Sequence, residues 1–343
     1  MKVINIVSGK GGTGKTLLTA VLAETLGNED CKVLVVDLDV FVRGLTSLLY
    51  YHKKEKVQLC ADDELTIAEF FMTKGDTLTS GKTKLAISRY RSFDVTPSVS
   101  RVDELLLFSD LMPDDKIEAK EIISNLISLI PDDYDYVFFD SRAGYDELIA
   151  ASHFYSDITI CVEEEDNISK ITTDNLIKQM QEDCDSPIFR LINKSSASGD
   201  EFSQNSVSHI GKIPFDMDVM RSFGKEGFWN EISKTLYKNS LSIAWNNLAN
   251  KMDLLPRIKL TRVSPVGSGY IEKQLQFFSL KDRVIILYGI ALGFLGVLYP
   301  LYNIGMIKEL FSNKGFVLNI ASSIMGLLSF AITFSIILKN RKK

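Results

Sequence analysis

The sequence predicts a doubly wound α/β fold with a mainly parallel sheet, followed by two transmembrane helices. Apolar stretches that read as buried strands alternate with helical stretches from residue 2 to about residue 213. This alternation is typical of a parallel sheet with helices on both faces. Near the C-terminus, residues 284–307 and 315–338 are two uncharged stretches of 24 residues each. Each exceeds the roughly 20 residues that cross a bilayer.

The first strand and the loop after it carry the most specific motif of the chain. Residues 2–7 read as a buried strand and residues 17–26 as the helix that follows. The loop between them matches the phosphate-binding pattern Gly-x-x-x-x-Gly-Lys-[Ser/Thr]. It contains Gly9, Lys10, Gly11, Gly12, Thr13, Gly14, Lys15 and Thr16. We therefore predict that its N–H groups and the positive end of the helix bind one phosphate chain.

The residue types of this loop suit a nucleoside triphosphate and its metal ion. Gly11, Gly12 and Gly14 allow the backbone to approach the phosphates, where a Cβ would collide. Lys15 is predicted to neutralise charge on the β- and γ-phosphates, and the Thr16 hydroxyl is predicted to ligate Mg²⁺. This part of the sequence predicts a P-loop NTPase domain.

Two further strands end in carboxylates, at the edge where open α/β sheets bind ligands. Residues 32–36 lead into Asp37 and Asp39, which lie two apart and share one face of an extended segment. One of them is predicted to hold the water shell of the metal and the other to orient the attacking water. Residues 134–139 lead into Asp140, which suits binding to Mg²⁺ through water.

These motifs together resemble the ParA/MinD family of P-loop ATPases. The loop with its additional Lys10 is similar to the family's deviant Walker A sequence K-G-G-x-x-K-[ST]. Asp37 and Asp39 resemble the D-x-D of its switch I. Residues 140–144 resemble its switch II, with Arg142 in place of the usual proline.

The resemblance covers about residues 1–240 and implies ATP and Mg²⁺ as cofactors, with slow, switch-type hydrolysis of ATP. It implies that Asp39 positions the hydrolytic water and that Lys10 reaches across an ATP-dependent homodimer to the partner's nucleotide. Lys10, Lys15 and Asp39 are then the catalytic residues. The metal site comprises Thr16, Asp37 and Asp140.

The same resemblance assigns two segments to the base pocket. Residues 187–192 read as a strand that leads into Asn193, and the resemblance implies that the Asn193 amide reads adenine, because an amide both donates and accepts. Residues 211–214 resemble the family's Gly-x-Ile-Pro segment, which implies that Pro214 lies beside the base.

Net charge divides the chain into an acidic and a basic part. Residues 257–343 contain 12 Lys/Arg and 3 Asp/Glu, a net charge of +9, while the whole chain carries −5. Residues 1–256 therefore carry −14, and an acidic domain repels DNA phosphates. We predict that DNA is not a partner. By default, the acidic run at residues 163–166 is expected to form a solvated loop, although the resembling family uses this loop near the nucleotide.

The C-terminal stretches predict a transmembrane hairpin, with two buried core helices as the alternative. The predicted domains are an ATPase domain at 1–255, a basic juxtamembrane linker at 256–282 and a hairpin with a basic tail at 283–343. The spans are placed at about 284–305 and 316–338. Basic residues flank both outer ends, so the positive-inside rule predicts a multi-pass protein of the cytoplasmic membrane with both termini in the cytoplasm.

These observations lead to one hypothesis of function and two alternatives. The first is a membrane-anchored, MinD-like ATPase whose ATP-dependent dimer recruits or positions an unidentified protein partner at the membrane. The second is a protein like the capsule-type bacterial tyrosine kinases, although residues 339–343 contain no tyrosine. The third is a membrane effector in which the ATPase triggers the hairpin.

Overall fold

The structure is a computed structural model that describes residues 1–53, 59–77, 81–196, 207–233 and 235–260. The chain divides into two units, Met1–Ser264 and Pro265–Lys343, and all described residues lie in the first. The predicted spans at 284–305 and 316–338 lie outside the described residues, as does most of the predicted linker.

Strands and helices alternate along most of the described chain. The strands are β1 (Lys2–Ser8), β2 (Val33–Asp37), β3 (Glu64–Leu65), β4 (Lys84–Leu85), β5 (Ser88–Tyr90), β6 (Phe93–Thr96), β7 (Tyr136–Ala143), β8 (Ile158–Glu164), β9 (Ile188–Ser195) and β10 (His209–Pro214). The helices are α1 (Lys15–Gly27), α2 (Gly44–Lys53), α3 (Ile67–Met72), α4 (Phe108–Leu111), α5 (Lys116–Ser128), α6 (Glu147–Phe154), α7 (Asn167–Asp183), α8 (Met217–Ser222), α9 (Phe228–Ile232) and α10 (Leu236–Met252).

The main sheet has the strand order β10-β9-β8-β1-β7-β2-β6-β5. Its pairs are parallel except for β5, which runs antiparallel to β6. The predicted doubly wound, mainly parallel fold is confirmed for this domain. Because β1, β7 and β2 are neighbours, their C-terminal ends meet at one edge, and Asp37 pairs in register with Asp140.

Both faces of the sheet are buried, which explains why its strands are apolar at nearly every position. Alternate residues of one strand enter different cores. Ile4 and Ile6 of β1 pack in a core with residues of α1 and α10, whereas Val3 belongs to a second core with residues of α3 and α5. The two layers of helices hold the strand ends, and therefore the predicted site, in fixed positions.

The predicted membrane localisation requires a correction. None of the helices in the described part of the chain is long and apolar enough to cross a membrane. Helix α1, for example, has 13 residues, and its apolar side chains are buried in the core beside the sheet. Within the described residues this finding contradicts the multi-pass assignment, and no membrane anchor enters the functional proposal below.

Candidate active site

The phosphate-loop sequence forms a turn between β1 and α1, in the arrangement that the motif requires. Gly14 is the N-terminal cap of α1 and has a φ of +87°, and Gly12 has a φ of +80°. Both angles lie in the left-handed region, which glycine adopts without steric penalty. A Cβ on Gly14 would also lie 2.6 Å from Nδ2 of Asn193. Gly14 therefore has both a conformational and a packing reason to be glycine.

Gly9 has a different reason, which the sequence did not indicate. A Cβ on Gly9 would lie 2.4 Å from the backbone carbonyl carbon of Thr172 on α7. The start of the loop thus packs directly against the backbone of a helix that is distant in sequence. Gly11, by contrast, has no described atom within 4 Å of such a Cβ, so its predicted role toward phosphate stays a prediction.

Thr16 and Asp140 come together below the loop, as the sequence predicts for two metal-site residues. The Thr16 hydroxyl donates to Oδ2 of Asp140 at 2.8 Å. Thr19, one helical turn later, donates to Lys15 O at 2.9 Å and lies 3.3 Å from the other Asp140 oxygen. Thr19 was not predicted, although its spacing from Thr16 places it on the same helical face.

Asp37 is fully buried at the end of β2 and is held by the start of α2. Its Oδ2 accepts hydrogen bonds from the Thr46 backbone N–H at 2.8 Å and from the Thr46 hydroxyl at 2.7 Å. Its Oδ1 has no hydrogen-bond partner among the described residues. A buried carboxylate oxygen without a partner is costly in a folded protein, and a cation or its water shell would satisfy it.

The electrostatics of Asp37 and Asp140 also favour a cation. Burial, together with the charge of Asp140, raises the pKa of Asp37 to about 8. Burial raises the pKa of Asp140 to about 6, against the opposing effects of Lys15 and the Thr16 hydroxyl. Two buried carboxylates repel each other when both are ionised, and a cation bound between them would stabilise the ionised forms.

The oxygen donors of this site fit Mg²⁺ when the nucleotide completes the ligand set. The described residues contain no group of three or more His, Cys, Asp or Glu side chains able to hold a metal alone. Mg²⁺ commonly uses one or two carboxylates together with substrate phosphates. The hydroxyl of Thr16 and the carboxylates of Asp37 and Asp140 are oxygen donors of that kind.

Asp39 differs from the two buried carboxylates because it is only partly buried. Its Oδ1 accepts a hydrogen bond from the Val42 backbone N–H at 3.0 Å, which closes the turn that leads into α2. The carboxylate thus stands at the C-terminal edge of the sheet, near the charges of Asp37 and Asp140. Its predicted role in positioning water stays a prediction.

Lys10 is bound within its own chain by residues of the acidic run. Its ammonium group lies 2.6 Å from Glu164 Oε2 and 2.8 Å from Asp166 Oδ2. Hydrogen bonds to Asp166 and Glu164 raise the pKa of Lys10 above its usual value. Its side chain keeps 28% exposure, so these ion pairs face solvent and can exchange.

The expected solvated loop at residues 163–166 is confirmed only in part: Glu165 and Asp166 are exposed in the turn after β8, but Glu163 and Glu164 lie in the strand itself. Each of the four also has a specific partner. Glu163 pairs with buried Arg190 at 2.9 Å. Glu165 accepts hydrogen bonds from the Ser196 backbone N–H at 2.8 Å and its hydroxyl at 2.7 Å, and these bonds lower the pKa of Glu165 to about 2. Asp166 also caps the N-terminus of α7.

Asn193 and Lys194 hold the phosphate loop from the side of β9. The buried Asn193 amide donates to Thr13 O at 2.7 Å, and Lys194 donates to Gly12 O and pairs with Glu164 at 2.6 Å. Lys194 was not predicted as a site residue, although the Asn-Lys pair at a strand end pointed to it. Pro214 ends β10 and is partly buried. The predicted contacts of Asn193 and Pro214 with adenine stay predictions.

With this geometry established, the family follows from comparison with known proteins. Residues 1–186, more than half of the chain, match the family described as an AAA domain. The chain belongs to this AAA-domain family. The matched region of this AAA-domain protein extends from β1 through α7 and contains the loop, the three aspartates and the acidic run.

The individual proteins that match this chain include MinD proteins. The septum site-determining protein MinD of Bacillus subtilis is 25% identical over 293 residues, which cover 81% of this chain and 98% of that protein. The solved MinC:MinD cell division protein complex of Aquifex aeolicus matches with a TM-score of 0.52 at 19% identity, covering 76% of this chain and 98% of that one.

A third match is a structure that was solved with a nucleotide and a metal ion. MinD of Pyrococcus horikoshii, solved as a complex with Mg-ADP, matches with a TM-score of 0.52 at 22% identity, covering 73% of this chain and 98% of that one. The two structural matches show a shared fold. Together with the family match, these relatives support a MinD-like P-loop ATPase that binds nucleotide and Mg²⁺.

Proposed function

We propose that this chain is an ATP-dependent dimerisation switch that recruits a protein partner. ATP and Mg²⁺ bind at the phosphate loop, two copies pair across their nucleotides, and slow hydrolysis separates them. The observation that carries the proposal is the second lysine of the loop, Lys10, which is partly exposed beside the loop and held only by exchangeable ion pairs.

Nucleotide binding and hydrolysis follow from the residues at the sheet edge. Lys15 lies close enough to Asp140 to oppose the rise in its pKa, so a cation already stands beside the proposed metal site. Bound Mg²⁺ neutralises charge that develops on the phosphates. Thr16, Asp37 and Asp140 hold that ion, and Asp39 at the same edge orients the attacking water.

Pairing requires Lys10 to change its partners. In this structure Lys10 forms ion pairs with Glu164 and Asp166 of its own chain. In the dimer it contacts the phosphates of the nucleotide bound to the second copy. The two arrangements are mutually exclusive, because one ammonium group cannot occupy both places. The ion pairs of Lys10 within its own chain therefore oppose dimerisation until the phosphates of ATP offer this lysine a stronger anionic contact.

The surface next to Lys10 is suited to a protein partner. Ile168 and Ile171 at the start of α7 are 69% and 60% exposed. Two exposed isoleucines about one helical turn apart form a small apolar patch that a protein partner can cover. The MinC:MinD complex is a fold-level precedent for a second protein on such a domain.

Loss of Lys15 and loss of Lys10 should have different effects. Lys15→Ala should abolish ATP binding, because the phosphates lose their main counter-charge. Lys10→Ala should bind ATP almost normally but fail to pair. ATP affinity by titration calorimetry and mass by light scattering would be measured with Mg²⁺ in an Asp39→Ala background, which slows loss of ATP.

Lys116→Ala is the matched control, since Lys116 also forms a partly exposed ion pair but lies on α5, away from the loop. It should bind ATP and pair as the parent does. ATP binding by Lys15→Ala would contradict the P-loop assignment. A parent that stays monomeric with ATP and Mg²⁺ would contradict the dimer.

A further inference from the structure

A cavity of about 590 Å³ lies apart from the loop and the aspartates, between α1, the β5–β6 turn, α9 and α10. Its volume is within the range of small-molecule sites, about 300–1,000 Å³. The side chains used below are Glu24, Asn28, Arg91, Trp229, Asn230 and Lys238, all of which line it. None of them belongs to the nucleotide site.

The walls of this cavity are fixed before any ligand binds. Arg91 Nε donates to Glu24 at 2.9 Å, and the Ser92 backbone N–H donates to the other Glu24 oxygen at 3.1 Å. Trp229 Nε1 donates to the Tyr90 hydroxyl at 2.9 Å. These bonds tie the β5–β6 turn to α1 on one side and to α9 on the other, so Arg91 and Trp229 are held in place before binding.

Arg91 adopts a backbone conformation that its residue type does not favour. Its φ is +55°, in the left-handed region where turns normally place Asn or Gly. Retaining a strained arginine there indicates that its side chain is used. The guanidinium lies 5.4 Å from the centre of the Trp229 ring. Among the described residues its Nε donates to Glu24, and neither Nη group has a hydrogen-bond partner there, while the residue lines the cavity.

The cavity is lined by more cationic than anionic side chains, whereas the domain around it is acidic. Residues 1–256 carry −14, yet two of the lining residues are cations, Arg91 and Lys238. The one lining carboxylate, Glu24, already uses both of its oxygens. Within the described residues, Lys238 forms no ion pair and the side-chain amides of Asn28 and Asn230 form no hydrogen bond. All three line the same cavity as the partly buried Trp229.

We propose that this cavity binds a small organic anion that carries a flat ring. Arg91 and Lys238 bind the phosphate or carboxylate, the two asparagine amides donate to its remaining oxygens, and the ring packs on the indole of Trp229. This site is independent of the nucleotide switch, because it shares no residue with the loop.

Phenyl phosphate is a suitable probe, because it combines a phosphate with a ring. Calorimetric titration of the full chain should detect one site per chain, and inorganic phosphate and phenol alone should each bind at least tenfold more weakly. Arg91→Asn keeps a residue that tolerates the left-handed turn but removes the guanidinium, and it should weaken phenyl phosphate at least tenfold. Lys238→Gln should weaken it severalfold.

Two controls separate this cavity from the phosphate loop and from general charge effects. With the phosphate loop saturated by ATP and Mg²⁺, the parent should still bind phenyl phosphate at the cavity. Lys225→Gln removes an exposed lysine near α9 that does not line the cavity, and it should have no effect. Undetectable binding to the parent, loss of binding when the loop is saturated with ATP, or full binding to both Arg91→Asn and Lys238→Gln would each overturn the proposal.

Discussion

At the scale of single residues, the proposed metal site suits a bound cation but lowers the stability of the protein without it. Asp37 and Asp140 are 0% and 1% exposed, and register places them on neighbouring strands. Like charges in a buried space disfavour ionisation, which is why both pKa values lie above the usual range of aspartate. Such a site destabilises the domain until a cation binds.

Replacing Asp37 with Asn should stabilise the domain in the absence of Mg²⁺. The folded state of the parent keeps the Asp37 proton up to about pH 8, whereas the unfolded state loses it near pH 4. The stability that this proton supplies is full below pH 4 and is lost as the pH rises toward 8. The melting temperature of Asp37→Asn should therefore exceed that of the parent by several degrees at pH 8.5 and by less at pH 5.

The comparison needs a control for loss of charge alone. Asp39→Asn changes a partly exposed carboxylate nearby and should shift the melting temperature much less. Mg²⁺-dependent ATP hydrolysis should fall in both variants. Equal melting curves of the parent and Asp37→Asn from pH 5 to pH 8.5 would show that Asp37 is not strained by burial.

At the scale of elements, the segment that joins β8 to α7 connects the loop to the rest of the domain. Its carboxylates bind Lys10, Lys194 and the backbone of Ser196. The sequence predicted the surrounding strands well, because an uninterrupted apolar run has few alternatives in an α/β protein. It could not predict these contacts, since a run of four acids is equally compatible with a solvated loop and long-range pairing leaves no periodic signal.

Releasing Lys10 from this segment should favour pairing. Glu164→Gln removes the ion pair with Lys10 and also the one with Lys194, and Asp166→Asn removes the second Lys10 ion pair while keeping a side chain that can cap α7. The double variant should pair at an ATP concentration several times lower than the parent, as measured by light scattering. Asp183→Asn is the control, because it breaks the comparable Lys116 ion pair elsewhere. Weaker pairing of the double variant would mean that the carboxylates support the dimer.

Arg142 stands where switch II of the resembling family has proline, and it forms contacts that connect β7 to the start of α6. Its guanidinium pairs with Asp146, the N-terminal cap of α6, and Nη2 lies 3.5 Å from Met112 Sδ. These contacts close the turn around Gly144, whose N–H donates to Ser8 O at 2.9 Å. The sequence showed the departure at this position but not the partner that compensates for it.

Substitutions at Arg142 can separate stiffness from charge. Arg142→Ala should lower the maximal rate of ATP hydrolysis by about tenfold with little change in ATP affinity, because the turn loses its clamp. Arg142→Pro should restore most of that rate by fixing the backbone instead. Steady-state kinetics with both variants would show whether the stiffness of the turn or the charge of Arg142 sets the rate. A proline variant no better than the alanine variant would indicate that the guanidinium itself takes part.

At the scale of the whole domain, the sheet order brings the predicted residues together. Central β1 supplies the loop, β7 and β2 on one side supply the aspartates, and β8 and β9 on the other supply the acidic run and Asn193. The alternation of apolar strands and helical stretches along the sequence sufficed to predict a mainly parallel sheet, although not its strand order. The antiparallel β5, the short β3–β4 sheet and the cavity beside α9 lay beyond prediction, because short strands and irregular turns are set by tertiary packing.

Gly9 packs the start of the phosphate loop directly against the backbone of α7. A Cβ at this position would lie 2.4 Å from Thr172, so a displacement of α7 toward the loop would displace the loop as well. The partner proposed to bind at Ile168 and Ile171 of α7 would therefore contact a helix that touches the phosphate loop. Thermodynamic reciprocity then requires that a partner preferring the ATP-bound arrangement tighten ATP binding by the same factor by which ATP tightens the partner.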